Sequence, residues 1–259
     1  MRVIAGSARG HNLKGPKSDA TRPTSDMVRG AMFAILESMV DLEGARVLDL
    51  YAGTGALGIE ALSRGAAWCD FVEDDRATCR IIAENLAHTK LADLARVHCH
   101  TVERVLGHPD MLGPFGRAGA GPNPPSPFPT TGRGPGPPLP LPAAAERRAG
   151  EERGRAQAVS GDIQGDARQE SSPSHFTTAQ EYDIILLDPP YALAESAAGG
   201  VWTVLARLAG GGYAKPGGLV VLEHSRRATP PETIGSLSLV KSRRHGDTCV
   251  TIYRMGANT

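Results

Sequence analysis

Five short apolar runs most constrain what this chain can fold into: RVLDLY (46–51), WCDFVE (68–73), ARVHCH (95–100), YDIILLD (182–188) and GLVVLEH (218–224). Each is apolar along most of its length rather than at alternate positions, as a strand must be when both of its faces are covered. Helical stretches lie between them at 56–64, 75–88 and roughly 195–209. Strands of this kind alternating with helices predict an α/β fold, a mostly parallel sheet with helices on both sides. Two further runs, SLSLVKS (236–242) and CVTIYRM (249–255), lie close enough in sequence to form an antiparallel hairpin at one sheet edge.

Ahead of the sheet, TSDMVRGAMFAILESMV predicts a helix entered through Thr24 or Ser25 as N-cap. Val28, Met32, Ile35, Leu36 and Met39 form its apolar face, with the methionines packing rather than binding a ligand. The first dozen residues, MRVIAGSARGHN, suggest a small strand-and-turn appendage carrying basic residues. The chain then divides by composition. Residues 113–142 hold 11 prolines and 7 glycines in 30 residues, which excludes helix and strand interiors. Residues 143–180 continue with few apolar anchors. The expected organisation is an N-terminal appendage and helix (1–40), a main domain formed by 41–112 and 181–259, and a mostly disordered insertion (113–180). Room for a short helix remains near 143–155, and a passive surface loop is favoured over a proline-rich docking segment.

Lys plus Arg and Asp plus Glu are equal at 28 each, so nucleic-acid binding would need local patches. Arg2, Arg9, Lys14, Lys17, Arg22 and Arg29 form one such patch against Asp19 and Asp26. Arg226, Arg227, Lys241, Arg243 and Arg244 form another against Glu232. The four cysteines show no CxxC spacing, no metal site is suggested, and no apolar signal segment precedes them. Reduced thiols in a cytoplasmic protein are expected. No run approaches the roughly 20 apolar residues of a membrane span.

LDLYAGTGALGIEAL places Gly53, Gly55 and Gly58 in GxGxxG spacing between a strand and a helix. Such glycines permit a tight turn and close backbone approach, and the helix start offers free N–H groups. Taken alone the pattern also fits a plain turn or a dinucleotide site. Glu73 ends the next strand, 20 residues after Gly53, where a carboxylate can accept both hydroxyls of a ribose. Asp49 lies inside the first strand, where an ionised carboxylate is costly unless it meets donors or a cation. It would repel a pyrophosphate and attract a sulfonium and an α-ammonium. That favours S-adenosylmethionine over NAD.

The strand at 182–188 runs into Asp188, Pro189, Pro190 and Tyr191. Neither proline can donate to a sheet ladder, so pairing stops there. A proline-terminated strand explains the prolines but not the acid and the tyrosine. At the carboxyl end of a parallel strand, an acid, a proline carbonyl and an aromatic face suit a planar base with an exocyclic amine: two acceptors for its N–H groups and a ring on which to stack.

At this point the chain resembles a known family. MRVIAGSARG, TRPTSDMVRGAMFAIL, LDLYAGTGALGIEALSRGA, VEDDRATCRIIAENL and LLDPPY are together similar to the bacterial small-subunit rRNA (guanine-N2)-methyltransferases of the RsmD type. The resemblance covers residues 1–106 and 181–254. It implies a class I, Rossmann-like methyltransferase fold of seven strands, S-adenosylmethionine as cofactor, and methylation of one guanine of 16S rRNA within the small ribosomal subunit or its assembly intermediate, by a monomer. Asp49, Gly53, Gly55 and Glu73 match its cofactor positions, with Tyr51, Ala52, Gly58 and Asp74 beside them in the same two loops. Asp188, Pro189 and Tyr191 match the catalytic motif, with Pro190 inside it. Arg9, Arg22 and Arg29 match basic positions of a segment expected to face RNA. The chain departs from the pattern at Thr101, where many relatives carry an acid near the adenine amine. It departs again at Gly30, where a glutamate is usual and glycine costs about 1 kcal/mol of helix propensity relative to alanine.

Four other readings have their own marks. A DNA adenine-N6 methyltransferase shares the amine-acceptor motif but should carry a target-recognition domain. A protein-glutamine methyltransferase would more often show Asn in place of Asp188. An NAD oxidoreductase leaves Asp188 to Tyr191 unexplained. A catalytically silent RNA-binding assembly protein would bind without turnover. The resemblance supplies the guanine; the residues themselves supply only an exocyclic amine on a planar base.

Overall fold

A computed structural model of the chain describes residues 1–15, 25–112, 181–195 and 199–257. The expected insertion at 113–180 and Arg22 lie outside these residues, as does Thr24. Each apolar run forms a strand: β1 (Arg46–Leu50), β2 (Trp68–Glu73), β3 (Ala95–Cys99), β4 (Tyr182–Leu187) and β5 (Ala214–Ser225). Three more strands follow, β6 (Thr233–Ile234), β7 (Leu237–His245) and β8 (Thr248–Met255). The sheet order is β3-β2-β1-β4-β5-β8-β7-β6. The pairs among β1 to β5 are parallel, and β8 runs antiparallel between β5 and β7. Two-residue β6 brings the strand number to eight where the resemblance implied seven.

Alternation along each central strand divides the core between the two faces. Val47, Phe71, Ile184, Leu186 and Val221 share one cluster with residues of the helices α1 (Asp26–Glu37), α2 (Ala56–Ser63) and α3 (Arg76–Thr89). Leu48, Leu50, Val72, Ile185, Leu187 and Val220 pack on the other face with α4 (Val102–Gly107) and α6 (Val201–Gly210). Short α5 (Tyr191–Glu195) begins at the tyrosine that follows the two prolines. The helix expected over 195–209 starts later, at Val201, because Gly199 and Gly200 take φ of +93° and +60° just before it. Ser25 caps α1, its Oγ accepting the Val28 N–H at 3.2 Å.

The appendage is a strand-and-turn element. Arg2 and Asn12 form an antiparallel bridge, and Val3 N–H donates to the His11 carbonyl at 3.0 Å. Its anchor is Glu60, wholly buried in α2. The Glu60 carboxylate accepts the Ile4 and Ala5 N–H groups at 2.8 and 3.0 Å and Arg64 Nε at 2.8 Å. A second anchor is buried Asn85, whose Oδ1 accepts the Lys14 N–H at 2.8 Å. Its amide donates to the carbonyls of Lys14 and of Thr54 in the glycine loop, at 3.1 and 2.9 Å.

Arg29 corrects an expectation. Its side chain is fully buried, pairs with Asp26 at 2.9 Å, donates to the Arg2 carbonyl, and lies 3.7 Å from Glu60. A guanidinium so enclosed fastens the appendage to α1 and α2, and it has no face to offer RNA. Arg9 is exposed.

Candidate active site

The carboxyl ends of the parallel strands bring three acids together: Asp49 on β1, Glu73 at the end of β2, and Asp188 one residue beyond β4. Open α/β sheets bind ligands at this edge. The strand order puts β1 between β2 and β4, so Asp49 lies between the other two, and both raise its proton affinity.

Two buried acids in neighbouring strands show what is unusual at Asp49. Asp70 on β2 is fully engaged: Trp68 Nε1 and the Tyr182 hydroxyl donate to Oδ2 at 2.7 and 2.9 Å, and His98 Nε2 lies 2.7 Å from Oδ1. Asp49 is half engaged. Its Oδ2 accepts the Gly58 N–H at 2.9 Å, while Oδ1 is buried with no partner among the described residues. A buried acceptor left without a donor is costly in a folded protein, and at this sheet edge a donor or cation on a ligand would offset that cost. Burial pushes the Asp49 carboxyl up to about 8, the Gly58 N–H opposing and the nearby acids adding to it.

The glycine loop is shaped around this acid. Tyr51 leaves β1 at φ +59°, in the left-handed region that a tyrosine rarely adopts, and Gly53 and Gly55 follow at +54° and +78°. A Cβ on Gly53 would meet nothing within 4 Å, so the loop is open there. Gly58 is different. A Cβ there would run into the Phe71 ring and come within 2.6 Å of Cys69 Sγ. Gly58 therefore lets α2 pack on β2 and feeds Asp49 a donor, and its expected place as a cofactor contact is corrected to that of support. Ala52 is buried behind the loop, its N–H donating to the Val72 carbonyl at 3.0 Å.

Glu73 closes the loop from the other side. Its carboxylate accepts the Gly53 N–H at 2.9 Å and the Asp75 N–H at 3.0 Å, leaving lone pairs for a diol. Burial raises its proton affinity against those two backbone donors. Asp74, next along, is exposed. Burial also raises the Tyr51 phenol, with the Glu103 carboxylate adding to the effect. Thr101 caps α4, its hydroxyl accepting the Arg104 N–H at 3.3 Å, so that hydroxyl is already held.

The β4 ladder ends at Leu187, which leaves the Pro189 carbonyl beyond the paired residues. Pro189 is buried, Pro190 is exposed and its carbonyl accepts the Leu193 N–H at 2.9 Å, starting α5. Tyr191 is half-buried, and its hydroxyl lies 2.7 Å from Thr248 Oγ1. At the end of α5, Glu195 accepts the Ser225 hydroxyl at 2.6 Å. Two contacts thus pin the segment after Asp188 to β5 and β8.

The structure gathers Asp49, Tyr51, Gly53, Gly55, Glu73, Asp188, Pro189 and Tyr191 along one edge of the sheet. Sequence reasoning missed Glu60, Asn85 and Thr248. Glu60 carried a signal: it is the one acid inside the apolar helix ALGIEALS. Among the described residues no group of His, Cys, Asp or Glu is arranged to hold a metal ion.

The sequence matches the family described as Conserved hypothetical protein 95 over residues 1–111 and 156–254. It is 30% identical over 254 residues to the "Putative rRNA methyltransferase YlbH" of Bacillus subtilis, with 98% of each chain covered. It is 44% identical over 97 residues to the "Ribosomal RNA small subunit methyltransferase D" of Escherichia coli, covering 38% of this chain and 48% of that one. Among solved structures it is similar to the "Putative methyltransferase yhhF from Escherichia coli", with a TM-score of 0.61 and 23% identity over 100% of this chain and 99% of that one.

Proposed function

The chain belongs to the Conserved hypothetical protein 95 family, and from that membership and the site geometry we propose that it transfers a methyl group from S-adenosylmethionine to the exocyclic N2 amine of one guanine in 16S rRNA. In this reading it acts as a monomer in the cytoplasm, on the small ribosomal subunit or an assembly intermediate of it. The carrying observation is the convergence of Asp49, Glu73 and Asp188 at one sheet edge, with one oxygen of Asp49 buried and unpartnered. The names of the relatives support rRNA methylation.

The residues fit the cofactor. Asp49 Oδ1 suits the α-ammonium, Glu73 the ribose hydroxyls, and the open side of Gly53 the close approach of a ligand to backbone. Once bound, the cofactor supplies an electrophilic methyl on a sulfonium.

The chain's own contribution is positioning. The N2 amine is a poor nucleophile because its lone pair is delocalised into the ring. Asp188 and the Pro189 carbonyl accept its two N–H groups, which favours a pyramidal nitrogen and stabilises the positive charge developing there. Tyr191 holds the base by stacking, worth roughly 1–3 kcal/mol, and its hydroxyl bond to Thr248 fixes the ring's tilt. After transfer the amine's proton passes to Asp188 or to water.

Calorimetric titration of S-adenosylmethionine into wild type and Asp188→Ala, beside methyl transfer to undermethylated small subunits, tests this division of labour. Equal cofactor binding with transfer lost in the variant supports it. Equal transfer by the two proteins contradicts it.

A further inference from the structure

Along the carboxyl edge of the sheet acids outnumber bases on the β1 to β3 side, where Arg76 and Arg104 also stand, and bases outnumber acids on the β5 to β7 side, where Glu195 and Asp247 also stand. Toward β1 and β2 stand Asp49, Glu73, Asp74 and Asp75. On the other side, Arg226 and Arg227 follow β5, and Arg243 and Arg244 end β7. β7 runs parallel to β5, because β8 is antiparallel to both, so these four arginines reach the same edge as Asp188. A two-residue turn, Gly246 and Asp247, joins β7 to β8, with Gly246 at φ +67°. Thr248 stands in register with Ser225 on one side and His245 on the other. It is the residue that Tyr191 touches, which puts the hairpin tip beside the proposed base-stacking ring.

Asp247 pairs with Arg226 at 3.1 Å, and the Arg226 N–H donates to the Asp247 carbonyl at 2.9 Å. Among the described residues no carboxylate pairs with Arg227, Arg243 or Arg244, and all four arginines are exposed. Charged side chains on a sheet edge also deter pairing with other chains. That accounts for Arg243 and Arg244, since β6 covers only Ser238 and Leu237 of β7. It does not account for Arg226 and Arg227, which follow an interior strand.

We propose that Arg226, Arg227, Arg243 and Arg244 form a phosphate-binding surface that holds the single-stranded RNA backbone next to the base stacked on Tyr191. This rests on the reading of the site as an RNA methyltransferase. A base presented to Asp188 brings its flanking phosphates onto one of the two neighbouring surfaces. The acids on the β1 and β2 side repel them, and the guanidiniums on the β5, β8 and β7 side accept them, two N–H donors to a phosphate.

The test measures binding of undermethylated 16S rRNA and small subunits from 50 to 300 mM salt, with methyl transfer alongside, for wild type, Arg243→Ala/Arg244→Ala and Arg243→Lys/Arg244→Lys. The alanine variant should bind RNA about tenfold more weakly near 0.15 M salt. Its slope of log affinity against log salt should be shallower by about 1.4, two phosphate contacts at roughly 0.7 each. KM for RNA rises while kcat and cofactor affinity hold, and the lysine variant keeps the wild-type slope. A wild-type slope and KM in the alanine variant overturns the surface. If that variant fails to fold, as judged by its melting temperature and cofactor binding, Arg226→Ala/Arg227→Ala is read by the same criteria. Wild-type protein that methylates no RNA overturns the methyltransferase reading, and this surface with it.

Discussion

Asp49 Oδ2 takes the Gly58 N–H at 2.9 Å, so one bond ties the middle of the edge to the first turn of α2 and leaves the other carboxylate oxygen for a ligand. In the ligand-free protein this carboxyl is pushed up to about 8 by burial. A cationic ligand favours its ionised form. Cofactor affinity should therefore rise with pH toward 8, by up to about tenfold per unit, and level off above. Titration calorimetry between pH 6 and 9 reads the slope. Asp49→Asn should bind more weakly at pH 8 and lose the contribution that titrates there. The same shift fixes the sign for stability. Below the ordinary value of 3.8 both folded and unfolded states hold the proton. Between there and about 8 the folded state holds more protons, so this group's contribution to ligand-free stability falls as pH rises through that window.

Gly30 and Gly58 should respond to alanine in opposite directions. At Gly30, inside α1, an added Cβ meets only Ile4 Cγ2 at 3.9 Å, an ordinary contact. Gly30→Ala should stabilise by about 0.5–1 kcal/mol through helix propensity. Gly58→Ala forces a methyl into Phe71 and Cys69 and should destabilise by about 1–3 kcal/mol. Urea unfolding of the two variants measures both.

Glu60→Ala removes the acceptor of two appendage N–H groups and leaves Arg29 buried beside one fewer carboxylate. Breaking a buried pair in this way costs about 3–5 kcal/mol. Hydrogen exchange should show the Ile4 and Ala5 amides losing protection. Unchanged protection at those two amides would refute the anchoring role.

Tyr191 separates ring from hydroxyl. Tyr191→Phe keeps the stacking face and loses the bond to Thr248, so methyl transfer should fall only a few-fold. Tyr191→Ala removes the face, worth roughly 1–3 kcal/mol, and should cost about tenfold to a hundredfold in kcat/KM. Equal losses in the two variants would mean that the hydroxyl matters rather than the ring.

The central strands were legible because burial on both faces leaves a continuous apolar run, and β1 and β2 keep the starts read from RVLDLY and WCDFVE. Strand β5 was less so. It begins at Ala214 and carries Pro216 and Gly217 through an irregular pairing before Leu219, residues that read as a turn when only periodicity is visible. The acids of the site were legible too, since a carboxylate inside or just after an apolar strand demands a reason. The arginines were not. Arg9, Arg22 and Arg29 look alike in sequence, and only the fold reveals that Arg29 is enclosed between α1 and Glu60. Contacts made by residues far apart in the chain, such as Asn85 with Lys14 and Tyr191 with Thr248, leave no local pattern.

The proposed product is a methyl on guanine N2 of small-subunit rRNA. Labelled S-adenosylmethionine, undermethylated small subunits and the wild-type protein, with naked 16S rRNA and duplex DNA in parallel and nucleoside analysis of the products, test it directly. Label is expected in N2-methylguanosine from small-subunit rRNA, abolished by Asp188→Ala. Label in DNA adenine alone, or no label on any substrate despite bound cofactor, would contradict it.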